Sequence, residues 1–150
     1  MKKNILDTEA AHAICTRVKN LNENTKAHWG KMNPTEMLAH CNSCNRQLFE
    51  EGNSGKKTTV KQYFLRLLAL YIAPNFKRNL SSEARHNVKG KVDPSRFKTE
   101  QQAFIETILK FPSKAKQLTL HHPAFGNIST NQWGIAVYKH MDHHLRQFGV

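Results

Sequence analysis

Cysteine, glycine and proline are scarce in this chain, and no apolar run is long. The three cysteines, Cys15, Cys41 and Cys44, are odd in number and fit a reducing compartment better than a disulfide framework. The 7 glycines and 5 prolines argue against collagen-like and disordered classes. The longest apolar run, residues 64–73, contains Arg66 and is too short to cross a bilayer. The first residues, MKKNILDTEA, lack the apolar stretch of a secretory signal, so we predict a cytoplasmic protein without a transmembrane segment.

Acidic residues are also scarce. The chain has 11 Asp and Glu against 23 Lys and Arg, which gives a net charge of +12. This excess raises nucleic acid and anionic membrane surfaces as partners. The basic residues occur in short pairs, such as Lys56–Lys57 and Lys77–Arg78, and form no longer block. This dispersion argues against nucleic-acid binding and favours a basic surface, or a pocket for anionic substrates.

Over most of its length the sequence has apolar residues at the spacing of an α-helix. With 150 residues, the chain can bury its own core, and we predict one domain of residues 1–150. The periodicity and the capping signals predict helices over residues 7–20, 34–51, 59–73, 99–111 and 130–148. Residues 75–98 look irregular, and LTLHH at 118–122 is the one weak strand signal. The prediction is an all-α fold, a bundle of four main helices with an extra helical segment after the second.

The last predicted helix carries three histidines in the stretch YKHMDHHLRQF, residues 138–148. On a helical projection His140 and His144 fall in the middle of the apolar stripe, and His143 lies toward its edge. Their spacing of four places two imidazoles one turn apart on one face, where both can bind one metal ion. The alternative is a pair of core histidines, each hydrogen-bonded to a neighbouring helix.

His40 on the second predicted helix is the best candidate for a third ligand, because it lies beside that helix's apolar stripe. Cys41 and Cys44 follow it as a CxxC pair, but the second pair of a zinc knuckle is missing. Core packing is the favoured interpretation of both cysteines, although Cys44 could also line the pocket or ligate. Surface roles are predicted for the remaining histidines, which are His12, His28, His86, His121 and His122.

The segment of residues 60–73 is apolar on several sides and has basic residues around it. A helix of this kind can lie on a membrane surface. The favoured interpretation is that it covers the bundle, closes a pocket or contacts a second copy of the chain, so a homodimer is among the predicted assemblies.

Four stretches together resemble the DinB-like superfamily of metalloenzymes, also called the DinB/YfiT fold. They are HWGKM at 28–32, PTEMLAHC at 34–41, HHPAFGNISTNQWG at 121–134 and YKHMDHHLRQFGV at 138–150. The resemblance implies an up-down-down-up four-helix bundle. It also implies a metal held by one histidine of the second helix and an HxxxH pair of the last helix. That pattern falls on His40, His140 and His144, whereas His143 matches no ligand position and is a candidate neighbour of the ligands.

Members of that superfamily include transferases and isomerases that use thiols such as bacillithiol or mycothiol. The resemblance therefore implies a metal-dependent enzyme that performs thiol transfer or hydrolysis on a small substrate, with a low-molecular-weight thiol as a candidate cosubstrate. One divalent ion is expected, zinc or nickel first, with iron and manganese as alternatives. The alternative function is a non-catalytic, metal-containing binding or dimerisation protein. No paired carboxylates stand out, and Asp142 is a single carboxylate beside the candidate ligands.

Overall fold

The protein is all-helical in the part of the chain that the structure describes. This structure is a computed structural model, and it describes residues 2–50, 52, 55–79, 86–114 and 118–150. The α-helices are α1 (Thr8–Lys19), α2 (Pro34–Glu50), α3 (Val60–Leu67), α4 (Phe97–Lys110) and α5 (Thr130–Gln147). A π-helical turn, Leu68–Ile72, continues α3, and short 3₁₀ turns lie on either side of α4. The described residues form no strand, and an isolated bridge joins His122 to Gly126.

The two helices that carry the candidate ligands begin at the capping boxes that their sequences predict. Before α2, the backbone N–H of Glu36 donates to Asn33 Oδ1, and the N–H of Asn33 donates to Glu36 Oε2, each at 2.9 Å. Before α5, Ser129 and Gln132 exchange the same pair of bonds. These reciprocal bonds satisfy amide groups that helix starts otherwise leave unpaired, so they fix where each helix begins.

Helix α4 packs against both α1 and α2, and α5 contacts the same two helices from its own side. The apolar stripes of these four helices meet in one core, which also includes residues of the loops. Its fully buried members include Ile14, Met37, Leu38, Phe97, Phe104, Ile108, Phe111, Met141 and Leu145. Helix α3 lies outside this core, and the π-helical turn that follows it contacts α5. Burial of apolar area in the shared core holds α2 and α5 in place around the candidate ligands.

Most predicted helix boundaries lie close to the observed ones. The predicted helix of residues 59–73 is α3 with its π-helical turn, because apolar residues continue past Leu67 without a break. The irregular region predicted for 75–98 is wrong at its end, since a 3₁₀ turn at Pro94–Arg96 leads into α4 at Phe97. Predicted positions 51 and 80–85 lie outside the described residues. The weak strand signal at 118–122 gives only the isolated bridge at His122.

No helix among the described residues is both long enough and apolar enough to span a bilayer.

Candidate metal centre

Three imidazoles from two helices meet at one point. His40 lies on α2, and His140 and His144 lie one turn apart on α5. The Nε2 atom of His140 is 3.2 Å from Nε2 of His40 and 3.1 Å from Nε2 of His144. The structure thus brings together the three histidines that the sequence nominates, although their role as ligands stays a prediction.

The backbone of His86 fixes the orientation of the His40 ring. Nδ1 of His40 is 2.9 Å from the carbonyl oxygen of His86, and a carbonyl only accepts hydrogen bonds. Nδ1 of a neutral His40 therefore carries the ring hydrogen, and Nε2 presents its lone pair to the other imidazoles. The His86 ring is held in turn by the side chains of Ser43 and Gln47, each at 2.8 Å from one of its nitrogens.

A chain of two hydrogen bonds through Gln147 fixes the ring of His144. Nε2 of Gln147 donates to the backbone carbonyl of Trp29 at 2.7 Å, which turns Oε1 of Gln147 toward Nδ1 of His144 at 3.0 Å. Because an amide oxygen only accepts, Nδ1 of a neutral His144 carries the hydrogen. Its Nε2 lone pair therefore also faces His140.

Gly30 leaves the space that Gln147 needs. A Cβ atom at position 30 would collide with Nε2 of Gln147, and the backbone φ of Gly30 is +79°, in the left-handed region. The HWGKM stretch thus supplies the Trp29 carbonyl that binds the Gln147 amide, and the absence of a side chain at Gly30 leaves room for that amide beside the His144 ring.

The result is a surplus of lone pairs at the centre of the cluster. His40 and His144 each direct an unprotonated Nε2 at His140, and a neutral His140 has one hydrogen to donate. When that hydrogen goes to His144, the lone pair of His40 faces the weak S–H donor of Cys44, with Sγ 3.8 Å from Nε2. A weak bond of this kind only partly offsets the cost of removing the nitrogen from water. A divalent cation would satisfy all three nitrogens at once.

Electrostatics keeps these rings neutral. Burial lowers the pKa of His40, and the bond to the His86 carbonyl opposes part of that effect. Burial lowers the pKa of His144 to about 3, and repulsion from a charged His40 adds to this. The pKa of His140 falls well below the usual range through burial and then through repulsion from His144 and His40. Neutral imidazole is the form that binds metals.

The distances suit a metal ion. Two nitrogen ligands that are each about 2.0–2.1 Å from a tetrahedral ion are roughly 3.3 Å apart, close to the observed separations. Cys44 joins the group, because its Sγ lies 3.8 Å from Nε2 of His40. The ligand atoms of His40, Cys44 and His140 all lie within 4.8 Å of one another, so this His-Cys-His cluster could hold a metal ion.

Other sequence-based interpretations have mixed outcomes. Cys41 is fully buried in the core, as predicted for both cysteines, but Cys44 is only partly buried and faces the histidines. The surface role predicted for His86 is wrong, because its side chain is buried against α2. The carboxylate of Asp142 is 2.6 Å from the guanidinium of Arg17, so it is already engaged in an ion pair. His143 packs edge-on against the ring of Trp29, with ring centroids 5.8 Å apart.

The sequence reasoning missed the residues that hold the rings, although one had a local signal. Gln147 is three residues after His144 and therefore on the same helical face. His86 and Trp29 had no such signal, because each reaches the cluster through a backbone carbonyl from a distant part of the chain.

Comparison with known proteins identifies the family of the chain and gives no information about its activity. No curated protein and no solved structure matches the chain. One family model matches residues 1–149, and its description, "Protein of unknown function (DUF1569)", states neither an activity nor a ligand. Because the match covers nearly the whole sequence, the chain belongs to the DUF1569 family.

Proposed function

We propose that residues 1–150 form one domain of the DinB-like type, a four-helix bundle with up-down-down-up order. Two observations support this proposal. The four helices α1, α2, α4 and α5 share one core, while α3 and its π-helical turn form an extra segment that reaches this core through Leu70. The stretches that carry the resemblance also include HWGKM and the HxxxH pair, which meet at the histidine cluster.

We propose further that His40, His140 and His144 hold one divalent cation. The observation that carries this proposal is the convergence of the three Nε2 atoms, with Nδ1 of His40 and of His144 each bound to a protein acceptor. Acceptors of this kind fix the tautomer and the orientation of metal-ligating histidines in known sites. Two core histidines without a metal would be satisfied by a single hydrogen bond between their rings, whereas here three Nε2 atoms face one another.

Ligand type narrows the choice of ion. Imidazole nitrogen suits zinc, nickel, copper and iron, whereas magnesium and calcium prefer oxygen ligands. The described cluster of possible ligands contains imidazole and thiol groups and no carboxylate. Zinc and nickel, which the resemblance implies first, suit these ligands and are proposed first, with iron and then manganese as alternatives.

The proposed activity is thiol transfer or hydrolysis on a small substrate. A divalent cation held by neutral imidazoles acts as a Lewis acid and allows a thiol or a water molecule to react as its anion near neutral pH. The chain's own contribution is orientation: the His86 carbonyl and the Gln147 amide hold two of the rings in their reactive tautomers. Asp142 is not assigned as a proton carrier, because Arg17 occupies its carboxylate.

The thiol of Cys44 favours a second candidate function. Three histidines and one thiolate would complete a closed four-ligand shell, the arrangement of structural zinc sites. In that case the metal would stabilise a non-catalytic binding protein. Whether Cys44 ligates the ion thus separates an open, reactive site from a closed one.

Metal content tests whether the site exists. Untagged protein would be reconstituted with zinc and, in parallel, with nickel, and bound metal would be counted by elemental mass spectrometry. We expect about one ion per chain, and its loss in His40→Ala and His144→Ala. His12→Ala, which removes an exposed histidine of α1, is the matched control and should keep the ion. Wild-type protein that stays empty after reconstitution with zinc, nickel, iron and manganese would refute the site.

Proton release on metal binding then tests the part of Cys44. Zinc binding to neutral imidazoles releases almost no protons, whereas binding to a thiol releases about one proton per ion as the thiolate forms. Titration calorimetry in buffers of different ionisation enthalpy gives this number, with Cys44→Ser as the reference variant. Equal release in both proteins supports the open site, because a metal-bound water would contribute the same fraction of a proton to each. Release of about one proton that disappears in Cys44→Ser supports the closed one.

A further inference from the structure

Of the eight exposed large hydrophobic side chains among the described residues, seven lie on α3 and its π-helical turn. These side chains are called here the outer face: Val60, Tyr63, Phe64, Leu67, Leu68, Tyr71 and Ile72. Val60 is 86% exposed, Phe64 68% and Ile72 63%. Among the described residues, the one other exposed large hydrophobic side chain is Leu109 on α4. A contiguous apolar patch of this kind marks an interaction surface.

Polar contacts hold the segment on the protein body, together with the apolar side chains of Leu65, Ala69 and Leu70. Nε2 of Gln62 donates to the Pro123 carbonyl at 2.9 Å, and the guanidinium of Arg66 donates to the Asn127 carbonyl at 2.9 Å. From α5, Gln132 donates to the hydroxyl of Tyr71 at 3.1 Å.

The π-helical turn is anchored in the same way. The ammonium group of Lys139 donates to the carbonyls of Ala69 and Ala73, at the end of the segment. Leu70 is the buried apolar residue of this turn. A surface helix normally buries its apolar side and exposes its polar side. Here the inward side combines the polar contacts with Leu65, Ala69 and Leu70, and the larger number of apolar side chains lies on the exposed side. The attachment therefore holds the outer face toward solvent.

The charge around this face is of one sign. Between positions 52 and 79 the sequence has no Asp or Glu, and its basic residues are Lys56, Lys57, Lys61, Arg66, Lys77 and Arg78. All of these except Arg66 are exposed. The hydrogen bonds that hold the segment come from residues 121–139, which also contain no Asp or Glu. An apolar face in an acid-free, basic setting complements an anionic surface.

We propose that the outer face docks onto the surface of an anionic phospholipid membrane. Residues 60–72 would lie in the plane of the interface, with their apolar side chains among the upper acyl chains and the flanking lysines at the headgroups. At about 1.5 Å per residue the segment is roughly 20 Å long, so it suits an in-plane position and is too short to span the bilayer.

A second copy of the chain fits this face less well. Two outer faces brought together would set the same basic residues of both copies against each other, with no carboxylate from 52 to 79 to pair with them. Like charges brought into one interface disfavour association. The membrane supplies the missing negative charge. The proposal is independent of the metal site, because no member of the outer face contributes a candidate ligand.

Sedimentation with phospholipid vesicles tests the proposal on the full chain. Vesicles of phosphatidylcholine with phosphatidylglycerol would be compared with vesicles of phosphatidylcholine alone, at about 50 mM and about 500 mM salt. We expect binding to the mixed vesicles at low salt, much weaker binding at high salt, and little binding to the neutral vesicles. Phe64→Ser should weaken binding by roughly tenfold, because it removes an inserted aromatic side chain.

Leu109→Ser is the matched control, since Leu109 is 44% exposed and lies on α4, away from the outer face. It should bind vesicles like wild type. Equal binding by wild type and Phe64→Ser would overturn the proposal, because the charge alone would then explain adsorption. A dimer in light-scattering chromatography that Phe64→Ser dissociates, together with no vesicle binding, would overturn it in favour of a second copy.

Discussion

Two regions of this protein depart from the usual distribution of polar and apolar side chains, in opposite directions. The histidine cluster places three imidazoles between α2 and α5, with His40 and His144 buried and His140 half-buried. The outer face of residues 60–72 places seven large hydrophobic side chains, Val60, Tyr63, Phe64, Leu67, Leu68, Tyr71 and Ile72, in solvent. In both regions specific hydrogen bonds hold the unusual groups. The partners are His86 and Gln147 in the cluster, and the Pro123 carbonyl and Lys139 beside the outer face.

The comparison teaches that the usual placement of polar and apolar side chains fails at the two places where we propose that a ligand binds. Polar groups inside and apolar groups outside both raise the free energy of the isolated chain. A departure that is also held rigidly by the fold points to something that compensates it on binding. A cation would compensate the surplus lone pairs of the cluster, and an anionic lipid surface would compensate the outer face.

The largest expected effect is on the free energy of unfolding, and it should differ between a phenylalanine of the core and one of the outer face. Phe104 is fully buried, whereas Phe64 is mostly exposed. Phe104→Ala should lower the free energy of unfolding by about 3–5 kcal/mol, because it opens a cavity in the shared core. Phe64→Ala should change it by less than about 0.5 kcal/mol. Chemical denaturation of both variants would measure these values, and a large loss in Phe64→Ala would mean that the outer face is packed in the isolated protein.

Removal of the Gln147 amide should break the cluster without touching a candidate ligand. In Gln147→Leu the Nδ1–H group of His144 loses its acceptor and the ring is free to turn. Metal affinity should fall by about 10–100-fold, the usual effect of removing such a support. Competition with a chelator of known affinity would measure it. Gln102→Leu, at an exposed position on α4, is the control, and equal affinity in both variants would contradict the role given to Gln147.

His122, which lies in neither region, should make the free energy of unfolding depend on pH. Burial lowers the pKa of His122 to about 3, and its ring is stacked on Phe125 with centroids 4.1 Å apart. Because the unfolded chain takes up this proton near the usual pKa of about 6.5, the contribution is complete above that pH and is lost as pH falls toward 3. His122→Asn should reduce the slope of unfolding free energy against pH by about 1.4 kcal/mol per pH unit between roughly pH 6 and 4.

Urea unfolding of metal-free protein at several pH values would show this slope. His12→Asn, which removes an exposed histidine of α1, separates burial from the mere loss of an imidazole. An unchanged slope in His122→Asn would mean that the folded protein accepts this proton readily.

The smallest expected effect concerns Asp142, two residues from His140. Its carboxylate pairs with Arg17 at 2.6 Å, and both side chains are partly exposed. Asp142→Asn should therefore cost less than about 1 kcal/mol of stability and leave metal content unchanged. Thermal unfolding and elemental analysis of the same sample would check both. Loss of the metal would show that Asp142 supports the site as well as the ion pair.

Much of the site could be predicted because helical spacing is local information. The interval of four residues between His140 and His144, and the position of His40 beside an apolar stripe, place three imidazoles on inner faces. The orientation of the rings could not be predicted in the same way. His40 is oriented by a carbonyl 46 residues later, and Gln147 by a carbonyl 118 residues earlier, and no periodicity relates such positions.

The sequence by itself determined the helices, their capped starts at Asn33 and Ser129, and the face on which each histidine lies, since these depend on neighbours within a few residues. Only the tertiary structure decided the rest. It turned Cys44 toward the histidines and assigned the ring tautomers. It also attached residues 60–72 through polar contacts and the buried Leu70, which leaves the outer face in solvent. The reason is physical: a side chain's partner is set by which distant backbone and side-chain groups packing brings within hydrogen-bonding distance.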